Sequence, residues 1–220
     1  GASRGLGLEY ARQYANEGWR VIATCRDPQK AMELASLEGE LEIHALDIGD
    51  HEQILSLANS LGKEAIDLLL NNAGIFDPRP SKLGDIDYKT WEEFMHINVM
   101  SPLMVCASFS DHVAASNLKK IAIMSSKMGS IDDNSSGGSY VYRSTKAALN
   151  AVMKSLSIDL GRRDISVAIL HPGWVRTDMG GPNGLIDAPE SVNGLRQVIK
   201  GLNLKNSGRF YNYDGSEIPW

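Results

Sequence analysis

Residues 66–74 read I-D-L-L-L-N-N-A-G, an apolar run that ends in a turn of small and amide side chains. An apolar run without alternation is typical of a strand that is buried on both faces, as in a parallel sheet covered by helices. Similar short runs predict strands at 20–25, 41–46, 66–70, 120–125 and 165–170. Residues 209–213 are a candidate for a last strand.

Longer segments with helical periodicity alternate with these runs. They predict helices at 6–17, 52–61, 91–115, 142–160 and 189–201. The alternation indicates a single α/β domain over residues 1–220, a doubly wound parallel sheet with helices on both faces. In such sheets ligands bind beyond the carboxyl ends of the strands, so chemistry is expected just after each strand. Because the sequence opens at Gly1 inside a glycine-rich turn, we expect a first strand that is missing from it.

The composition fits one soluble domain with a large core, at 43% hydrophobic and 22% charged residues. A net charge of −5 argues against nucleic acid and anionic membrane surfaces as partners. No apolar segment approaches the length of a membrane span and no signal peptide is visible, so a cytoplasmic location is expected. Cys25 and Cys106 stand in apolar surroundings, which predicts buried free thiols. The histidines lack zinc-like spacing, so no metal site is predicted and His171 is expected to pack or cap.

The turn G-A-S-R-G-L-G at residues 1–7 leads directly into the first predicted helix. Glycines let a backbone approach a pyrophosphate, and the helix N-terminus supplies amides and a positive dipole, although a plain turn is an equally common reason for such a sequence. The next strand ends in Cys25, where a carboxylate would suit the ribose diol of an unphosphorylated cofactor. Arg26, with Arg4, suits a 2′-phosphate instead. Solvated surface arginines are the alternative, and Asp27 is close enough in sequence to pair with Arg26.

Further candidates follow other strands. Asp47 and Ile48 come after the strand at 41–46 and suit an adenine edge, with a helix cap as the alternative. The N-N-A-G turn at 71–74 would let the backbone approach a bound ring, or is only a turn. After the strand at 165–170, Thr177 is placed to hydrogen-bond a carboxamide.

Asn98 interrupts an apolar stripe of the helix predicted at 91–115. A buried amide needs hydrogen-bond partners, so Asn98 is either a functional group or a satisfied structural amide. Pro102 has no amide to donate to the carbonyl of residue 98, which predicts a local kink there and leaves that carbonyl free.

The segment Y-R-S-T-K at 142–146 places a phenol and an ammonium four residues apart on one helix face. A neighbouring cation stabilises phenolate and is expected to lower the pKa of Tyr142 from about 10. A tyrosine tuned in this way exchanges protons near neutral pH. Ser125 and Ser126 follow a strand seventeen and sixteen residues earlier and are expected to reach the same pocket.

In this order and spacing, the motifs of residues 1–177 resemble the short-chain dehydrogenase/reductase family. The tail G-R-F-Y-N-Y-D-G-S-E-I-P-W at 208–220 is similar to the subgroup of sniffer-type carbonyl reductases and bacterial C-signal proteins. The resemblance implies a Rossmann-type fold. It also implies a catalytic tetrad of Asn98, Ser126, Tyr142 and Lys146, with Ser126 preferred to Ser125 because the family serine is usually followed by two residues and a glycine.

The resemblance also implies the cofactor site. NADP(H) is expected in preference to NAD(H), because Cys25 followed by Arg26 resembles the NADP-preferring members. The implied contacts are Gly1, Ser3, Arg4, Gly5, Leu6, Gly7, Arg26, Asp47, Ile48, Asn72, Ala73, Gly74, Tyr142, Lys146, Pro172, Gly173, Val175 and Thr177.

The resulting hypothesis is reversible carbonyl reduction. Hydride passes between nicotinamide and a carbonyl carbon, Ser126 binds the carbonyl oxygen, and Tyr142 acts as general acid and base. Lys146 lowers the tyrosine pKa and holds the ribose, and Asn98 positions a water. Small or medium hydrophobic substrates are expected, with residues 180–188 as a mobile lid. Candidates for an apolar pocket wall are Phe76, Met128, Trp174 and Met179.

Two other functions remain open. One is a signalling or regulatory protein of C-signal type that binds the cofactor with little turnover. The other is dehydration or epimerisation of a nucleotide sugar, which the short C-terminal part disfavours. The resemblance also implies that a homodimer or homotetramer, if one forms, pairs through the helices at 91–115 and 142–160; a monomer is the alternative.

Overall fold

The computed structural model describes residues 1–77 and 81–220, in which parallel strands alternate with helices. The strands are β1 (Val21–Cys25), β2 (Leu41–Ala45), β3 (Leu68–Asn71), β4 (Lys120–Met124), β5 (Ser166–His171) and β6 (Arg209–Asn212). The helices are α1 (Gly5–Asn16), α2 (Met32–Ala35), α3 (His51–Ser60), α4 (Tyr88–Met95), α5 (Ser101–Ala114), α6 (Tyr140–Gly161) and α7 (Ala188–Gly201). A π-helical turn, His96–Met100, connects α4 to α5.

The strands form two parallel groups, β1–β2 and β3–β4–β5–β6. Gly1 and Ala2 link the carboxyl ends of the two groups. The amino group of Gly1 and the amide of Ala2 each donate to the carbonyl of Thr24 at 2.8 Å, and the Asn72 side chain donates to the Gly1 carbonyl at 2.9 Å. The strand expected before Gly1 stays a prediction.

Successive side chains of each strand point to opposite faces of the four-stranded sheet, and helices cover both faces. On β4, Ile121 and Ile123 pack with side chains of α5 and α6, such as Met153. Ala122 and Met124 of the same strand pack with side chains of α1 and α7. The predicted α/β fold with a parallel sheet between two helical layers is therefore confirmed.

The predicted elements agree with the structure to within three residues at their ends, apart from two differences. The helix predicted at 91–115 is divided by the π-helical turn, which lies directly before Pro102, where the sequence predicted a local kink. The hydrogen bonds of a π-helical turn span one residue more than those of an α-helix. Such a turn therefore accommodates the missing amide of a proline without ending the helix. The short helix α2 was not predicted, because four residues give too little periodicity.

Both cysteines are free and buried, as the sequence predicted. Burial raises the pKa of the Cys106 thiol to about 12, so this sulfur stays protonated and unreactive. Among the described residues, no helix combines the length and the apolarity needed to cross a bilayer. The same residues contain no group of three or more potential metal-ligand side chains.

Candidate active site

Tyr142 and Lys146 lie on the first two turns of α6, beyond the carboxyl end of β4. The Lys146 Nζ atom is 5.7 Å from the centre of the Tyr142 ring and donates to the main-chain carbonyl of Met124 at 3.1 Å. Lys146 is buried, and burial lowers the pKa of its ammonium to about 8, because the charged form loses its water. The predicted phenol–ammonium pair is thus formed.

The pKa of Tyr142 differs from the sequence prediction. Burial raises the pKa of the phenol to about 12, and a hydrogen bond with Ser126 acts in the lowering direction. The ring is packed at its edge by Phe76, with ring centres 4.8 Å apart and planes at 80°. The expected lowering of the Tyr142 pKa by Lys146 is wrong, because the loss of water around the phenol is the largest effect.

The structure separates the roles of the two serines after β4. Ser126 lies beside Tyr142 and acts to lower its pKa, and the Ser126 Oγ atom accepts from the amide of Met128 at 3.2 Å, which starts the short turn Lys127–Gly129. Ser125 instead donates to the buried side chain of Asn150 at 2.6 Å. The choice of Ser126 as the site serine is therefore supported by its position beside Tyr142.

Asn98 lies in the π-helical turn and is only 1% exposed. Its Oδ1 atom accepts from the amide of Ile75 at 2.9 Å, and its Nδ2 atom donates to the carbonyl of Ile75 at 3.0 Å. The side chain is therefore a satisfied amide that holds the end of the N-N-A-G turn. A Cβ atom on Gly74 would lie 3.1 Å from Asn98 Oδ1 and 3.8 Å from Lys146 Nζ, so this turn approaches the site closely.

The glycine turn at residues 1–7 meets two other predicted cofactor segments. Gly5 adopts a left-handed conformation, with φ of +56°, and a Cβ atom on Gly7 would overlap the carbonyl oxygen of Gly1. A Cβ atom on Gly1 would lie 2.9 Å from Ala73, and one on Gly5 would lie 3.7 Å from the Thr177 methyl group. Residues 1–7, 72–74 and 177 thus converge at the strand ends.

Two other residues of the turn have different surroundings. Leu6 packs, partly buried, against the core formed with α7. Ser3 precedes α1 in the turn and is half-buried. The turn therefore offers backbone and small side chains to a ligand, while Leu6 anchors the start of α1.

The segment that follows β5 turns sharply and closes on itself. Gly173 has a φ of +80°, and the Pro172 carbonyl accepts from Ser191 Oγ at 2.6 Å. Buried Val175 forms a β-bridge with Ile186, so residues 174–186 make a loop with joined ends. Residues 180–188, predicted as a mobile lid, thus begin within this closed loop.

Bonds inside the loop hold its tip. The Trp174 indole donates to the Gly180 carbonyl at 2.7 Å, and the amide of Gly180 donates to Thr177 Oγ1 at 3.1 Å. The side chains of Trp174 and Met179 are about half exposed, and Phe76 is in ring contact with Tyr142. The apolar wall of Phe76, Met128, Trp174 and Met179 stays a prediction.

The residues predicted at the adenine end lie after β1 and β2. Asp47 accepts from the amide of Gly49 at 2.9 Å, and Ile48 packs partly buried in the core between α3 and α5. The helix cap considered for Asp47 is wrong, because Asp50 caps α3.

The cations expected for a 2′-phosphate are exposed. Arg26 is exposed at the end of β1, whereas Asp27 pairs with Lys30 at 3.0 Å, so the pairing of Asp27 with Arg26 is not formed. Arg4 pairs with Asp178 of the loop at 2.8 Å.

A cavity of about 270 Å³ adjoins Tyr142 on the side of α4. Its lining includes Phe94, Val141, Tyr142, Asp77, Asp85 and Asp87. Sequence reasoning missed this side of the pocket, although the aspartates of 77–87 stand close together in the chain. It also missed Asn150. The sequence could have indicated this residue, because it is a polar side chain four positions after Lys146, on the same helix face.

A profile of the family described as short chain dehydrogenase matches residues 1–184. The chain therefore belongs to the short-chain dehydrogenase/reductase family of oxidoreductases, and its doubly wound sheet is the Rossmann-type fold of that family.

Individual relatives and solved structures are similar to this chain over most of its length. The C-signal protein of Myxococcus xanthus is 44% identical over 155 residues, which cover 70% of this chain and 93% of that protein. The carbonyl reductase Sniffer of D. melanogaster superimposes with a TM-score of 0.93 at 32% identity, covering 100% of this chain and 97% of that one. An NADPH-bound carbonyl reductase from chicken fatty liver gives a TM-score of 0.91 at 34% identity, covering 100% and 96%.

Proposed function

We propose that the protein is an NADPH-dependent reductase of small or medium carbonyl compounds, which also works in reverse as an alcohol dehydrogenase. The observation that carries the proposal is the grouping of Ser126, Tyr142 and Lys146 at the strand ends, beside the glycine turn. The similarity to solved carbonyl reductases supports the same reaction class.

The residues around the glycine turn fit a phosphorylated dinucleotide. Gly7 and Gly74 let the turns pack closely against Gly1 and Asn98, and the first turn of α1 carries no acidic residue that would repel a pyrophosphate. Arg26 is an exposed cation where the strand ends without a carboxylate. Bound NADPH supplies the hydride that reduces the carbonyl carbon.

The site residues handle the proton. With a pKa of about 12, the Tyr142 phenol is protonated at neutral pH and can donate to a substrate oxygen. The Ser126 hydroxyl, which has a single proton to donate, turns it from Tyr142 to that oxygen as the oxygen gains charge. The neighbouring Lys146 ammonium stabilises the phenolate that remains.

Asn98 contributes through the segment it holds. Its side chain fixes Ile75, and thereby the turn at 72–75, next to Lys146. Because Pro102 cannot donate to the carbonyl of Asn98, that oxygen is the candidate for holding a water that returns protons through Lys146.

The test is Tyr142→Phe. Turnover of a carbonyl substrate should fall by a factor of about 10² or more, while NADPH binding stays within about twofold, because only the proton donor is removed. Steady-state NADPH oxidation and a fluorescence titration measure the two quantities. Tyr140→Phe is the matched control, since this partly exposed tyrosine lies two residues earlier and should leave both unchanged. Near-normal turnover in Tyr142→Phe would refute the proposal.

A regulatory protein with little turnover is not favoured, because the serine, tyrosine and lysine of the site are all present and grouped. A cytoplasmic location stays a prediction. An assembly through α5 and α6 also stays a prediction; exposed Met100, beside α5, and exposed Ile158, on α6, support it.

A further inference from the structure

Asn150 ties the segment 125–129 to α6 at both of its ends. The Oγ atom of Ser125 donates to Asn150 Oδ1 at 2.6 Å, and Asn150 Nδ2 donates to the carbonyl of Gly129 at 3.4 Å. All three residues are buried, and Asn150 is only 2% exposed. A buried amide with both of its polar atoms bonded is costly to remove, because its partners are then left unsatisfied.

Ser126 lies between these two attachment points. The segment starts where the amide of Ser125 donates to the Leu170 carbonyl at 2.7 Å, which joins it to β5. It ends where Gly129 meets α6, since a Cβ atom there would lie only 2.7 Å from the carbonyl carbon of Lys146. The place of Ser126 relative to α6 therefore depends on both contacts.

The helix carries the rest of the site on the same face. Tyr142, Lys146 and Asn150 follow one another at intervals of four residues, so their side chains line one side of α6. Asn150 thus joins the strand-end serine to the helix that presents the tyrosine and the lysine. We propose that Asn150 is a positioning residue that sets the Ser126 hydroxyl against Tyr142, an inference that rests on the proposed function.

Loss of the amide should reduce catalysis more than binding. A displacement of a reacting group by about 1 Å can lower a rate by about 10²-fold, so kcat of Asn150→Ala should fall by about ten- to a hundredfold. The glycine turn is not bonded to Asn150, so the Kd for NADPH should change by less than about twofold. The contrast separates positioning from a general loss of structure.

The decisive experiment combines Asn150→Ala with Ser126→Ala. If Asn150 acts through Ser126, the double variant should be no more than about threefold slower than Ser126→Ala alone. If the loss of kcat in the double variant equals the product of the losses in the two single variants, the inference is overturned. Ser157→Ala is the matched control, because this buried serine of α6 bonds only the helix carbonyl of Lys154 within residues 1–77 and 81–220 and should leave kcat unchanged.

A milder variant covers the case in which Asn150→Ala fails to fold. Ser125→Ala removes one of the two bonds and should lower kcat by about three- to tenfold; an unchanged kcat in this variant would overturn the inference. The Tyr142→Phe variant distinguishes a failure of the proposed function from a failure of the positioning role alone. If it keeps its activity, the proposed function fails; if it loses activity while Asn150→Ala does not, only the positioning role fails.

Discussion

Burial moves the two proton-carrying groups of the site in opposite directions. The pKa of Lys146 falls to about 8 and the pKa of Tyr142 rises to about 12, so water exclusion favours the neutral form of each. At neutral pH the phenol keeps its proton while the ammonium is still largely charged. A rise in pH through about 8 removes that charge first, and with it the stabilisation of a phenolate.

Asp178 holds one of the cations expected to bind phosphate, and we predict that removing its carboxylate strengthens NADPH binding. The pair of Arg4 and Asp178 joins two exposed side chains at 2.8 Å, and such pairs contribute about 0–1 kcal/mol. A phosphate competes with the carboxylate for the guanidinium. Asp178→Asn should therefore lower the Kd for NADPH by about two- to fivefold, with a smaller effect on NADH, in a fluorescence titration.

The control for this prediction is Asp111→Asn, which breaks another surface pair, with Arg163, between α5 and the end of α6. It should leave both dissociation constants unchanged. Equal strengthening for NADPH and NADH would assign Arg4 to the pyrophosphate instead of the 2′-phosphate, and no strengthening would remove Arg4 from the site.

At the scale of elements, the contact between the turn at 127–129 and α6 tolerates no added atom. A Cβ atom on Gly129 would lie 2.7 Å from the Lys146 carbonyl carbon and 2.9 Å from its Cβ atom. We expect Gly129→Ala to lower the free energy of unfolding by about 1–3 kcal/mol, because the turn or the helix must shift. Urea unfolding followed by circular dichroism measures this change.

Gly161 is the matched comparison on the same helix. A Cβ atom there has nothing within 4 Å, so Gly161→Ala should be neutral or stabilising by up to about 1 kcal/mol. Equal destabilisation by the two substitutions would mean that the contact at Gly129 is not the cause.

The sequence predicted the elements and the grouping at the strand ends, because both follow from local patterns. Apolar runs and helical stripes determined the strands and helices, and parallel strands bring Ser126, Gly74 and Thr177 to one edge. The sequence did not predict pairings between distant positions, such as the hydrogen bond that Arg4 donates to Asp178, 174 residues away in the chain. The raised pKa of Tyr142 was missed for a similar reason, since burial depends on the packing around a group rather than on the neighbouring sequence.

At the scale of the whole molecule, we expect the free energy of unfolding to depend on pH through His171, at the end of β5. Burial lowers the pKa of His171 to about 4, with Lys127 lowering it further and Asp133 raising it. Within the described part of the chain, its Nδ1 atom has no hydrogen-bond partner. The unfolded chain binds this proton near pH 6.5, so between about 6.5 and 4 it holds more protons than the folded protein, and stability falls as the pH is lowered.

We predict that His171→Gln weakens this dependence. Urea unfolding at a series of pH values should show a loss between pH 6.5 and 4 that is smaller in the variant by about 1–3 kcal/mol. Above pH 7 the two curves should run parallel, which serves as the internal control. Parallel curves at acid pH as well would exclude His171 as a source of the acid sensitivity.

The π-helical turn at His96–Met100 has a consequence for the length of the chain. A π-bulge holds one residue more than a regular helix needs for the same advance. Deletion of one residue between α4 and α5 would therefore allow an unbroken helix with both halves kept in place against the sheet, while the side chains of the turn itself would point in new directions. Asn98 would then leave Ile75. The fold alone can accept a shorter chain here, whereas the site requires the additional residue.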